Sequence, residues 1–373
     1  MIFLDNASTT RTDDECAAIA LKYMTENYFN PSAPYHVSVE LSNEINRSRE
    51  NILRLLKGEG KIIFTASGTE SDNTALFCTK KKHGSRIVIS DAEHPAVRKC
   101  GENLTSLGYD VVYAPVDEAG RVKTEEFRKL ITEETSLISI MHVNNETGAI
   151  NDIKTLVSIA KKINPSVIFH SDGVQAAGKI KVNLKDLNVD LYSFSGHKIH
   201  SPKGIAGLYI KKGVNIKPYL IGGGQEFSLR SSTENVSGIM AIEHALSKQI
   251  TAMDFNLSKV SDLRNKIINN LDNEKYKLIS TGECSPYIIM IALKKVRGEV
   301  MLHSLEKYGI CIGTGSACSS KKIDKKASFG AYLPEEYKRG LIRVSLSRFN
   351  EENDIECFIN SLNLEYNTLI KYI

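Results

Sequence analysis

The chain has 373 residues, a formal net charge of +4, and 42% hydrophobic and 25% charged residues. That is the balance of an ordinary soluble enzyme with one large and one smaller domain. The basic excess is spread along the whole length, and clusters such as Lys80-Lys81-Lys82 read as solvated helix ends, so nucleic acid is not an expected partner. Seven cysteines without CxxC or metal-ligand spacing, no run long enough to span a membrane and no basic-then-apolar leader after Met1 predict a reducing, cytoplasmic setting without metal or membrane.

In chain order, Ile2 to Leu4 reads as a short strand, followed by the small-residue turn Asp5-Asn6-Ala7-Ser8-Thr9-Thr10 and a helix from near Asp13. A loop at Asn30-Pro31-Ser32-Ala33-Pro34 precedes a helix over about 37–56. Alternation then sets in. Strands are expected at 61–65, 86–90, 110–114, 136–143 and 167–170, with helices over 69–82, 94–107, 124–131 and 152–163. Strands at 191–195 and 205–211 follow so closely that an antiparallel pair is expected. Repeated βαβ units predict a mostly parallel sheet of about seven strands with helices on both faces. Past Ile221-Gly222-Gly223-Gly224, a long helix over about 238–270 leads into a smaller α+β unit, with strands at 287–293, 309–312 and 341–346 and helices at 298–308 and 351–364. The expected division is a large α/β domain, 14–250, and a small α+β domain made of 1–13 and 251–373.

The apolar run Leu191 to Phe194 delivers Ser195-Gly196-His197-Lys198 to the rim of the sheet, where open α/β folds bind ligands. A lysine partly desolvated there becomes a nucleophile toward a carbonyl, whereas a lone loop lysine is ordinarily only solvated. The neighbouring run Val167-Ile168-Phe169-His170 brings Asp172 to the next strand end. An amine for a Schiff base and a carboxylate that keeps a pyridine nitrogen protonated are what pyridoxal phosphate requires.

Other strand ends carry suitable groups, each with a plainer reading beside it. Thr65-Ala66-Ser67-Gly68-Thr69-Glu70-Ser71 offers a phosphate cup, with the Gly68 N–H and the Thr69 hydroxyl at a helix N-terminus, or is an ordinary capped helix start. His94 either caps a helix or stacks on a flat ring. Asn144-Asn145-Glu146-Thr147-Gly148 is a polar turn or offers an amide that binds a ring oxygen, and Gln175 could donate to the same oxygen. Arg343, bracketed by Leu341, Ile342 and Val344, reads as a strand arginine suited to a substrate carboxylate, or as an exposed one. Cys311 and Cys357 read as buried structural cysteines. Cys318 sits among small residues with Lys321, Lys322, Lys325 and Lys326 after it, the setting of a reactive thiolate, a surface cysteine of no consequence being the alternative.

Taken together, these residues resemble the cysteine desulfurases, the NifS/IscS-type members of the class V aminotransferase-like, fold-type I pyridoxal-phosphate enzymes. The similarity runs from Leu4-Asp5-Asn6-Ala7 to Arg343–Arg348, and its most specific pieces are Met141–Glu146, Ser195–Lys198, Gly222–Glu226 and Gly315-Ser316-Ala317-Cys318. The resemblance implies that Lys198 carries the cofactor, that Gly68, Thr69, Ser195 and His197 hold its phosphate, and that Asp172 pairs with the ring nitrogen. It further implies that Asn145 and Gln175 contact the ring oxygen, that His94 stacks on the ring and takes part in catalysis, and that Arg343 with Asn145 binds the substrate. Thr233 would reach the phosphate of the neighbouring subunit, so a homodimer is implied. L-Cysteine would become L-alanine while Cys318 receives the sulfur as a persulfide, for a sulfur-acceptor protein of iron–sulfur cluster assembly or of tRNA or cofactor thiolation.

The chain departs from the family pattern in places. Gly173 stands where alanine is usual, which is expected to loosen packing under the ring. Ala66-Ser67-Gly68 permutes the small residues of the cup, and Ser232 replaces a glycine before Thr233. The chain ends soon after its last helix, at Ile373, so a tail that grips a scaffold is not expected. The rival readings are a selenocysteine lyase or another class V aminotransferase and, from another class, an inactive sulfur-carrier or scaffold protein.

Overall fold

The computed structural model describes residues 1–315 and 332–372. β1 (Ile2–Leu4) leads through the turn at Asp5 to α1 (Asp14–Thr25), whose N-cap Asp13 accepts from the Glu15 N–H, and then to α2 (His36–Leu55). The alternating region follows as β2 (Gly60–Thr65), α3 (Gly68–Cys78), β3 (Arg86–Ser90), α4 (Pro95–Ser106), β4 (Asp110–Ala114), α5 (Thr124–Leu130), β5 (Thr135–Ser139), α6 (Ile153–Ile163), β6 (Ile168–Asp172), α7 (Leu184–Leu187), β7 (Leu191–Ser195) and β8 (Ala206–Lys211). Its sheet has the order β2-β8-β7-β6-β5-β3-β4. The strands from β7 to β4 are parallel, and β8 runs antiparallel to both β7 and β2. The carboxyl ends of β2, β3, β5, β6 and β7 therefore lie along one edge, where crossover topology opens a ligand crevice.

α8 (Val236–Thr251) and α9 (Met253–Asn269) then lead to a second sheet. That sheet contains β9 (Tyr276–Leu278), β10 (Ile288–Leu293), β11 (Ile310–Thr314) and β12 (Leu341–Ser345), with α10 (Gly298–Glu306) and α11 (Glu352–Leu369) against it. Its order is β1-β11-β12-β10-β9, so the first strand of the chain pairs beside one of the last. Separate apolar clusters fill the two sheets: Val88, Ile138, Phe169 and Tyr192 belong to one, Leu4, Ile289, Ile310 and Phe358 to the other.

Three elements end earlier than expected, each for a local reason. The expected strand over 136–143 stops at Ser139, and the Met141 N–H beyond it goes to Glu93 Oε1 at 2.6 Å. The helix expected to reach residue 82 stops at Cys78, where the Lys81 amine takes the Leu76 and Thr79 carbonyls. The long helix over 238–270 is two, broken at Ala252, because α8 buries Ile239, Ile242 and Leu246 against the large sheet while α9 buries Val260, Leu263 and Ile267 in the small one. Cys311 and Cys357 are half-buried, and among the described residues Cys16, Cys78 and Cys100 are the enclosed thiols.

Candidate active site

The strand ends enclose a cavity of about 380 Å³. Gly68, Thr69, His94, Asn145, Asp172, Gln175, Ser195, His197, Lys198 and Arg343 all line it. Thr233 is exposed and does not line it, and Cys318 lies outside the described residues.

The N-terminus of α3 opens on the cavity. Ser67 caps it by accepting from the Glu70 N–H at 3.2 Å, which leaves the Gly68 and Thr69 end facing the cavity. Glu70 is spent on the loop itself, accepting from the Ala66 N–H and from Arg230. A side chain at Gly68 would stand 2.8 Å from Val174 Cγ2, so glycine is what lets the helix start approach β6 and β7. Beside it, the Ser195 hydroxyl is buried and has no hydrogen-bond partner among the described residues. An orphaned hydroxyl at a helix N-terminus fits a phosphate.

Lys198 sits in a short turn just past β7, and its Nζ donates to the carbonyls of Ala7 and Ser8 at 2.6 and 2.5 Å. The N-terminal turn thus closes over the lysine, and Thr10 reinforces it with two hydrogen bonds to the His197 carbonyl. Burial, with Arg343 nearby, brings the Lys198 amine down to about 8. His197 is lowered to about 4 by burial and the neighbouring lysines, so it is neutral and can hydrogen-bond without adding charge. Its Nδ1 meets Thr9 Oγ1 at 3.2 Å.

Asp172 ends β6 and accepts from the Val174 N–H at 2.9 Å. Burial raises its carboxyl, against the opposing pull of His94, of that N–H and of Lys198. His94 is a helix cap that also lines the cavity, its Nδ1 accepting from the Ala96 N–H at 3.1 Å at the start of α4. Burial lowers it.

Gly173 does not loosen the floor. A Cβ there would lie 2.0 Å from Tyr192 Cζ, so the tyrosine ring already fills the space alanine would use. Tyr192 is held from behind by His142, Nδ1 to OH at 2.9 Å.

Arg343 points into the cavity from β12. Nη2 donates to Asp5 Oδ1 at 2.7 Å and Nη1 to the Asn145 carbonyl at 2.9 Å, while its Nε is buried with no partner among the described residues. The backbone of Asn145 therefore helps hold the guanidinium. Asp5, Asp72, Glu93 and Lys179 belong to the site or its walls and were not singled out from the sequence. Asp72 had a signal, standing three residues after Thr69 in the same helix, one turn from the cup. Asp5 stood in the Leu4–Ala7 end of the resemblance, but nothing in the sequence paired it with Arg343.

Fold and site together define the fold-type I class of α/β enzymes. The family description Aminotransferase class-V matches residues 2–358, and the chain belongs to that family. It is 37% identical to cysteine desulfurase IscS of Clostridium botulinum over 97% of this chain and 93% of that one. It is 34% identical to cysteine desulfurase NifS of Azotobacter vinelandii, over 97% and 91% respectively. A solved NifS-like protein superposes with a TM-score of 0.89 at 33% identity, covering all of both chains. No helix among the described residues is long and apolar enough to cross a membrane.

Proposed function

We propose that the protein is a pyridoxal-phosphate-dependent cysteine desulfurase that converts L-cysteine to L-alanine and collects the sulfur on Cys318. The observation that carries this reading is that Lys198, Asp172 and Arg343 line one cavity together with the N-terminus of α3. The residues fit the cofactor. Gly68, Thr69, Ser195 and His197 would hold its phosphate, Asp172 its ring nitrogen, Asn145 and Gln175 its ring oxygen, and His94 its face.

The cofactor, when bound, supplies an aldehyde for amines and an electron sink that weakens bonds at the substrate's Cα and Cβ. Lys198 Nζ, neutral above about pH 8, is the base that takes the Cα proton. The Arg343 guanidinium, which lines the cavity, would bind the substrate carboxylate. The Cys318 thiolate attacks the substrate sulfur, so that an S–S bond forms as the Cβ–S bond breaks, and Cβ takes a proton to give alanine. Cysteine plus enzyme thiol thus balances alanine plus enzyme persulfide.

The partners are L-cysteine, a second copy of the chain and a sulfur-acceptor protein of iron–sulfur cluster assembly or of tRNA or cofactor thiolation. Support for the homodimer comes from exposed Thr233 in a segment that also exposes Ile221 and Phe227. We place the division between the large and small domains at 14–250 against 1–13 with 251–373, one residue before the end of α8 and close to its break with α9.

The deciding experiment gives the reconstituted protein L-cysteine and measures alanine and Cys318-bound sulfur together. Equal yields are expected, with Cys318→Ala losing the persulfide. Transamination without sulfane sulfur would point to an ordinary aminotransferase, and a much higher rate on selenocysteine to a lyase.

A further inference from the structure

Lys179 lies four residues beyond Gln175, in the turn that follows β6, and exposes only 4% of its surface. Its Nζ donates to Gln175 Oε1 at 2.8 Å, its one hydrogen bond among the described residues. At the other end of the same amide, Nε2 donates to the Ala7 carbonyl at 2.9 Å, the carbonyl that also receives the Lys198 amine. An amide has one accepting end and one donating end. Flipped, it would set Oε1 against the Ala7 carbonyl, acceptor against acceptor, and leave the buried amine of Lys179 facing an NH2 group. The orientation is thus specified from both sides, and the second N–H of Nε2 has no acceptor among the described residues, on a side chain that lines the cavity.

We propose that Lys179 is a positioning residue, which holds the Gln175 amide so that an N–H and not a carbonyl oxygen faces the cavity and makes that wall selective for an anionic oxygen. The proposal rests on the cofactor placement given above, in which that oxygen is the ring oxygen of pyridoxal phosphate. Lys179 keeps N–H groups to donate whether or not it is protonated, although burial beside Lys198 and Arg343 lowers it to about 7. The groups that share its field are Lys198, Arg343, His197 and His200.

The test reads the pH midpoint of the resting absorbance of protein loaded with pyridoxal phosphate, with no sulfur substrate present. A donor to the ring oxygen spreads its negative charge and weakens its hold on the neighbouring Schiff-base proton. Losing the donor should raise the midpoint by about one pH unit, as expected for one hydrogen bond to a charged oxygen. Gln175→Leu and Lys179→Met should each raise it, and the double variant should show no more than Gln175→Leu alone. Lys179→Gln, which restores an N–H donor, should keep the wild-type midpoint and carries the test if the methionine variant does not fold.

A lowered Tm with an unmoved midpoint in Lys179→Met, additive shifts in the double variant, or a Lys179→Gln shift as large as that of Gln175→Leu would overturn the proposal. An unmoved midpoint in Gln175→Leu would overturn the cofactor placement and the proposal together. Absence of desulfurase activity would leave every one of these readings intact.

Discussion

Arg343 and Asp5 form a charge-assisted pair, Nη2 to Oδ1 at 2.7 Å, across 338 positions of sequence. The guanidinium proposed to bind substrate is therefore oriented before substrate arrives, with Nε left over. Asp5→Ala should raise KM for L-cysteine about tenfold, the usual cost of losing one charge-assisted hydrogen bond, while changing kcat less. Arg343→Ala should raise it about a hundredfold. Steady-state kinetics checks both, and equal falls in kcat would contradict a binding role.

The Lys198 amine is lowered to about 8 from an ordinary 10.5. Its neutral, nucleophilic form therefore predominates above about pH 8. Capture of pyridoxal phosphate by cofactor-free protein should accelerate with pH and level off above that point, and Lys198→Ala should capture none covalently. Stopped-flow absorbance across pH 6.5 to 10 would show it (a range set by roughly two units around the lowered value). A midpoint near the ordinary lysine value would mean that the amine is not desolvated.

Asp72 and Glu93 are buried beside Asp172, and burial raises both carboxyls well above their ordinary values. A carboxyl whose folded pKa is raised binds its proton more tightly in the folded state. Stability is therefore lost as pH rises from the unfolded value through the folded one. Asp72→Asn should then raise Tm by about 2 °C near neutral pH, with the advantage shrinking as pH falls toward 4. Thermal melts at several pH values test the sign, and an advantage that grows in acid would refute it.

Gly173→Ala would press a methyl group against Tyr192, whose Cζ and Cε1 lie 2.0 and 2.1 Å from the new Cβ. Overpacking of this kind costs about 1–3 kcal/mol. Tyr192→Phe keeps the offending ring carbons and should not rescue the variant, whereas Tyr192→Leu should recover part of the loss. Denaturant melts of the two double variants decide between them.

Much of this was legible in the chain itself. Hydrophobic runs of strand length, each ending in a polar or small residue, announced the sheet and placed Asp172, Lys198 and the Gly68 helix start on one rim, because a parallel sheet puts all its carboxyl ends on the same side. Element ends were less legible, since Glu93 claims the Met141 N–H and Lys81 ends α3 through contacts that periodicity does not register.

Local pattern thus determined the class of fold and, with the family resemblance, brought Lys198, Asp172, His94 and Arg343 to one cavity. Only the tertiary structure decided how those residues are held. Asp5 reaches Arg343, Ala7 and Ser8 receive Lys198, Tyr192 occupies the space above Gly173, and Lys179 fixes Gln175. Residue type reports the chemistry a side chain can perform. Its orientation comes from neighbours that chain folding brings close, at the opposite end of the sequence for Arg343 and nearly two hundred residues away for Lys198, and burial by the fold sets the Lys198 proton affinity.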